Sequence, residues 1–173
     1  MKIMKIFSIL SLFILTACSF NFSETDVEKV KDVFSKQLNN LYELYEKGTK
    51  DILADLSIEK AEEMLSGLIE KIPEDKKELV YSGIEKGVTL LEDGKEILAN
   101  ELSIDVSLEG VQKEIEDFLK SLADLDARIS VGDVNIEKTG DNYKLDCTIN
   151  FFYNANNKAQ EGSFSATFNK TTK

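Results

Sequence analysis

"LEDGKEILANELSI", Leu91 to Ile104, repeats with few changes a stretch met earlier in the chain, "YEKGTKDILADLSI", Tyr45 to Ile58. With Thr49 dropped from one and Asn100 from the other, twelve positions align between Glu46 and Ile58 and between Glu92 and Ile104. Nine are identical and two more exchange Asp for Glu. Upstream, at an offset of forty-six, Val33, Phe34, Leu38 and Tyr42 meet Leu79, Val80, Ile84 and Val88. Downstream, after four extra residues, Leu65, Leu68, Ile69 and Ile72 meet Ile115, Phe118, Leu119 and Leu122. The apolar phase survives where the letters do not, as in a tandem duplication.

Helical spacing runs through both copies. Val27, Val30, Phe34, Leu38, Leu41 and Tyr45 recur at steps of three and four behind a capping-box start at Ser23 and Thr25 with Asp26 and Glu28, and stop near Gly48. Ile58, Ala61, Leu65, Leu68, Ile69 and Ile72 follow Ser57 as N-cap and end at Pro73, the only proline. A third helix is read from about Glu74 through Leu79, Val80, Ile84, Val88 and Leu91 to Gly94. A fourth starts near Ser107 and carries Leu108, Val111, Ile115, Phe118, Leu119, Leu122 and Leu125. The quoted stretch is then a turn and a short helix between two long ones, used once in each copy. Copies over about 27–72 and 74–125 pack together within a helical region spanning 23–126.

Beyond Asp126 the period becomes two. Ile129 and Val131, then Val134 and Ile136 after Gly132 and Asp133, predict a strand whose face flips at a bulge. "KTGDN" predicts a turn, and Tyr143, Leu145, Cys147, Ile149, Phe151 and Tyr153 alternate against Lys144, Asp146, Thr148 and Asn150. A polar loop, "NANNKAQEG", leads to Phe164, Ala166 and Phe168. The expected class is α+β, with the helical part packed against a three-stranded antiparallel meander over 127–173 in one domain. Cys147 lies on the apolar face and belongs to the core. The layout after about Asp117 resembles the cystatin-like and NTF2-like groups of exported proteins, which implies helices on a curved antiparallel sheet. That resemblance rests on pattern, carries no functional residue, and departs from those groups in lacking the tryptophan of their last strand.

At the other end, Lys2 and Lys5 precede an apolar run from Ile6 to Leu15 and then small residues, the layout of a signal peptide and too short for a membrane span. "LTAC", Leu15 to Cys18, resembles the lipobox of bacterial lipoproteins. The resemblance implies cleavage between Ala17 and Cys18, lipid on the Cys18 sulfur, and acylation, palmitate included, of the new amino end. It makes 1–17 a signal peptide and 18–22 an anchor and tether, with Ser19 to Phe22 reaching about 13 Å at most. The implied location is the cell envelope, and the outer membrane in a Gram-negative host.

Removing the first seventeen residues leaves 156, one ordinary domain. Without Lys2 and Lys5, 19 basic side chains face 32 acidic ones, a net charge of −13. Such a surface repels nucleic acid and anionic headgroups, so the acyl chains must supply the attachment. With Cys18 lipidated, Cys147 has no disulfide partner in the chain.

Motifs for chemistry dissolve on inspection. Ser57 and Lys60 satisfy S-x-x-K, and Lys138, Thr139 and Gly140 supply K-T-G, a pair that serine penicillin-recognising enzymes use. No S-D-N lies between them and the chain is too short for that fold, so they read as a helix cap and a hairpin turn. Six residues rather than four separate Gly87 from Gly94, and Glu96 follows Lys95, so no phosphate loop is present. The chain has no histidine, which removes the commonest general base and zinc ligand. Glu62-Glu63 and Glu92-Asp93 lack the spacing of a calcium loop and read as solvated faces. No catalytic, cofactor or metal residue is assigned. The site residues are Cys18 for lipidation, and Ala17 with Cys18 for cleavage. The expected role is a non-enzymatic binding or interaction module at the membrane, with a basic protein as its expected partner. Alternatives are an acidic inhibitor of a basic enzyme such as lysozyme, a structural envelope protein, and a hydrolase with an acidic cleft.

Overall fold

The structure, a computed structural model, describes residues 27–92 and 94–154. Among them are three α-helices, α1 (Val27–Glu46), α2 (Ile58–Leu68) and α3 (Gln112–Asp124). Four strands, β1 (Lys77–Glu92), β2 (Lys95–Gly110), β3 (Ile129–Thr139) and β4 (Asn142–Asn154), form one antiparallel sheet in the order β1-β2-β4-β3. More of the described residues lie in strands than in helices, and the sheet has four strands rather than the three of the expected meander. The expected strand at Phe164, Ala166 and Phe168, the capping box at Ser23 and Thr25, and Ala17 and Cys18 lie outside the described residues.

The correction falls on the stretch quoted first. The expected helix over 74–94 is one 3₁₀ turn, Glu74–Lys76, followed by β1, and "KEILANEL" is the start of β2. Asp93 and Gly94 alone link the paired residues Glu92 and Lys95. An Asp-Gly pair between apolar runs is the strongest short-range hairpin signal, because Gly adopts positive φ without penalty. Gly94 sits at φ 74°. The helical spacing of β1 comes from two interruptions in its pairing, at Tyr81/Gly83 and Lys86/Val88. Each inserts one residue, so a period of two becomes a step of three, and Tyr81 and Ile84 share the face that Leu79 occupies. Gly83 and Gly87 inside the run, each costing a helix about 1 kcal/mol, carried the same message.

In the first copy the two long helices form, but the expected short helix "KDILADL" over 50–56 is irregular chain with one bridge at Leu53, and α2 ends at Leu68 rather than running to Ile72. Val30, Phe34, Leu38 and Leu41 of α1 are buried. The helix closes in a Schellman turn at Gly48, φ 59°: the Thr49 N–H donates to the Leu44 carbonyl at 3.3 Å, and that of Gly48 to the Tyr45 carbonyl at 3.2 Å. Ser57 caps α2, its hydroxyl accepting from the Lys60 N–H at 3.2 Å. In the second copy, α3 begins at Gln112 rather than near Ser107, with the Glu114 carboxylate accepting from the Val111 N–H at 2.9 Å. A Cβ at Gly110 would come within 2.6 Å of that carboxylate, so a larger residue there must push the Glu114 side chain off its cap.

All three helices cover one face of the sheet. Ile115, Phe118, Leu119 and Leu122 of α3 meet Leu102, Ile104, Val106 and Leu108 of β2 and Leu145, Cys147, Ile149 and Phe151 of β4 in a single core. The alternation predicted for β4 holds at every position, and β3 shows the predicted flip, its register shifting between Gly132 and Asn135. Cys147 is 4% exposed. Gly94→Val forces a branched side chain into a left-handed conformation and should cost about 1–2 kcal/mol. Gly94→Asn should cost less, and equal denaturation midpoints for the two variants would contradict the hairpin.

Candidate functional site: the open face of the sheet

The opposite face of the sheet carries the polar half of each strand's alternation. Three consecutive rungs join β2 to β4 there. Ser107 Oγ donates to Asp146 Oδ1 at 2.6 Å, Thr148 Oγ1 to Asp105 Oδ1 at 2.7 Å, and Ser103 Oγ to Asn150 Oδ1 at 2.8 Å. Asn150 Nδ2 carries the row onto β3, donating to Ser130 Oγ at 3.1 Å. Each pair stands directly opposite in register, where cross-strand side chains lie close enough to bond. The result is a polar floor whose side chains are fixed before any partner arrives.

Two open depressions, of about 220 and 470 Å³, lie over this floor and share Asp105, Asp133 and Thr148. Glu78 and Asp146 line the first, Glu85 and Glu101 the second. None of their lining residues is Lys or Arg, although Lys144 reaches Asp146 at 3.0 Å from one end. Asp133 is the one non-glycine residue with positive φ among those described, at 48°, and it sits at the β3 irregularity. Asp tolerates that conformation better than most residues.

The face is closed at one end by a second apolar cluster. Phe152, directly across from Glu101, packs with Leu90 and Ala99, and against them lie Tyr45, Ile52, Val88 and Ile97. The Tyr45 and Phe152 rings stack with centroids 5.5 Å apart. Burial beside this cluster raises the Glu101 carboxyl above its usual range, and Glu85, its register partner on β1, raises it further, while the Ser103 hydroxyl opposes both. Two like charges thus stand face to face, an arrangement that stability alone disfavours.

No catalytic, cofactor or metal residue was expected, and among the described residues no three of the His, Cys, Asp and Glu side chains are grouped to hold a metal ion. Ser57 and the Lys138-Thr139-Gly140 turn occupy a helix cap and a hairpin, with Gly140 at φ 64°. The polar half of β4 was visible as Lys144, Asp146, Thr148 and Asn150. The β2 half, Ser103, Asp105 and Ser107, does not show in the helical spacing of that segment. Their alternation with Leu102, Ile104, Val106 and Leu108 was the signal that could have found them.

No helix of the described residues is long and apolar enough to cross a membrane. The chain matches no protein-family model, and comparison with curated proteins gives no match either.

The raised Glu101 carboxyl gives a pH signature. Unfolded, it ionises in the ordinary range near 4.5; folded, it holds its proton to higher pH. Its contribution to stability is therefore present at acid pH and is lost as pH rises through the raised value. Glu101→Gln should stabilise the fold at neutral pH by a few tenths of a kcal/mol, about what a partly exposed site permits. The gain should vanish near pH 3, and an equal gain at both values would contradict the cause assigned.

Proposed function

We propose that this protein is a membrane-anchored envelope lipoprotein acting as a non-enzymatic binding module, with the open sheet face as its working surface. The observation that carries this reading is the hydrogen-bonded row of Ser, Thr, Asp and Asn side chains across β2, β4 and β3, under depressions lined by six carboxylates and no Lys or Arg. A surface of that kind attracts cationic partners through its field and offers fixed acceptors for their ammonium and guanidinium groups. The lipobox-like "LTAC" supports the anchor, since a chain this acidic needs acyl chains to stay on an anionic membrane.

A basic protein of the envelope or its surroundings is the favoured partner. Inhibition of a basic enzyme such as a lysozyme is one form this binding would take. The test is capture of lysozyme and of a set of basic envelope proteins by the lipidated protein at low and high salt. Capture should be strong at low salt, fall steeply with salt, and be lost in the triple variant Glu101→Gln, Asp105→Asn, Asp146→Asn while the fold persists. Salt-independent capture, or capture unaffected by the triple variant, would contradict the assigned surface. The N-terminal peptide should begin at an acylated Cys18. A peptide retaining Met1 or an unmodified Cys18 would contradict the anchor.

A further inference from the structure

β1 lies at an edge of the sheet. Among the described residues its single strand neighbour is β2, and no strand faces its other side. Its pairing is irregular at Tyr81/Gly83 and Lys86/Val88, which leaves Val88 to Glu92 as an unbroken stretch up to the Asp93-Gly94 turn. Bulges and charges blunt an edge, whereas a regular apolar stretch invites another strand. Beside this stretch Leu91 is 59% and Leu98 63% exposed, the two most exposed large apolar side chains of those described. Both lie on the helix-covered side of the sheet. Leu98 alternates in step with buried Leu102, Ile104 and Val106 of β2 and opposes Thr89, and Leu91 opposes Glu96 one rung further on.

The chain supplies a matching segment. Residues 155–173, outside the described residues, include "SFSATFN", in which Phe164, Ala166 and Phe168 alternate with Ser163, Ser165, Thr167 and Asn169. That is the pattern of β2 and β4, whose apolar half meets the helices and whose Ser, Thr, Asp and Asn half forms the open face. β4 ends at Asn154, in line with Ala99 and Val88 across the sheet. From there to a strand outside β1 at the level of Glu92 is about 14 Å across and about 13 Å along, roughly 20 Å in all, within the reach of about 26 Å that the linking residues 155–162 allow. A strand entering at this end runs antiparallel to β1, which climbs toward it, and parallel to β3, which starts there. Antiparallel pairing is the more stable. Residues 155–173 also carry Lys158, Lys170 and Lys173 against Glu161, a net charge of +2 in a chain of −11. Tail and folded body therefore attract, while two bodies repel each other.

We propose that Ser163 to Asn169 adds a fifth strand to the sheet, antiparallel to β1 along Val88 to Glu92. Phe164 and Phe168 then cover Leu91 and Leu98, and Ser163, Ser165 and Thr167 lengthen the polar row of the open face. The chain thereby closes with its own tail an edge that a second copy would otherwise find open. This inference does not rest on the binding reading: capture of basic proteins by the open face can succeed without the fifth strand, and the strand can form where capture fails.

The test is amide hydrogen exchange of the full protein, read by mass over peptides covering 160–173 and 86–92. In the monomer at low concentration, exchange over 163–169 should be slower than in an unstructured chain by about tenfold or more. Leu91→Lys, at an exposed position where folding should survive, should speed that exchange about two- to fivefold. Phe164→Ser with Phe168→Ser should abolish the protection and speed exchange over 88–92 as well. Exchange over 163–169 at the unstructured rate would overturn the proposal. Protection that appears only as dimers form would overturn it in favour of a second copy exchanging tails, and protection that needs an added basic protein would assign the segment to a partner. Protection indifferent to Leu91→Lys would place the segment elsewhere on the fold.

Discussion

One guanidinium joins the two copies of the repeated segment. Arg128 bonds the carbonyls of Tyr45 and Leu91, the residues that open the two stretches and stand forty-six positions apart. Three positions on, each copy has a glycine in the left-handed region, Gly48 at φ 59° and Gly94 at φ 74°. Next come Ile52 and Ile97, which occupy the same place in the alignment and both pack on the cluster around Phe152. The duplicated letters thus encode three shared contacts: a carbonyl for the arginine, a glycine to reverse the chain, and an isoleucine for the small core. The backbone of Arg128 closes the joint, its N–H donating to the Asp51 carbonyl at 2.9 Å and its carbonyl accepting from Phe152 at 3.2 Å.

After those contacts the copies part. In the first, Leu53 makes one parallel bridge with Tyr153 and the chain then turns into α2. In the second, the same word runs straight on as β2 and becomes a central strand of the sheet. Strand partners on both sides distinguish the second outcome from the first. Ala99 pairs with both Val88 and Asn154, so β2 gains partners on two sides. The segment around Leu53 lies where β3 has not yet begun. Local sequence sets the turn and the anchor, while non-local pairing sets whether the rest is helix or strand.

That division explains what was legible. The existence of α1, α2 and α3 was legible from apolar periodicity with caps at Gly48 and Ser57, though α2 ends at Leu68, before Pro73, and α3 starts at Gln112 rather than near Ser107; β3 and β4 were legible from clean alternation. The β1–β2 hairpin was lost because two inserted residues in β1 imitate helical steps, and because the repeat lent its own helical context to Asp93-Gly94. With the hairpin went half of the open face, since Ser103, Asp105 and Ser107 form it only when β2 is extended. Arg128 left no pattern at all beyond being the chain's single arginine beside the apolar start of a strand. Its importance comes from where the fold places it.

The same hairpin gives the protein its surface. Without β1 and β2 there is no floor opposite Asp146, Thr148 and Asn150, no Glu85 to raise Glu101, and no carbonyl of Leu91 for Arg128 to hold. Backbone chemical shifts across residues 77–110, read with cross-strand contacts of Thr89 to Leu98 and Ala99 to Asn154, test this most directly. Extended shifts throughout, broken only at the turn and near Ser82 and Gly87, with both contacts present, are expected. Helical shifts over 95–102 would contradict the hairpin and with it the open face.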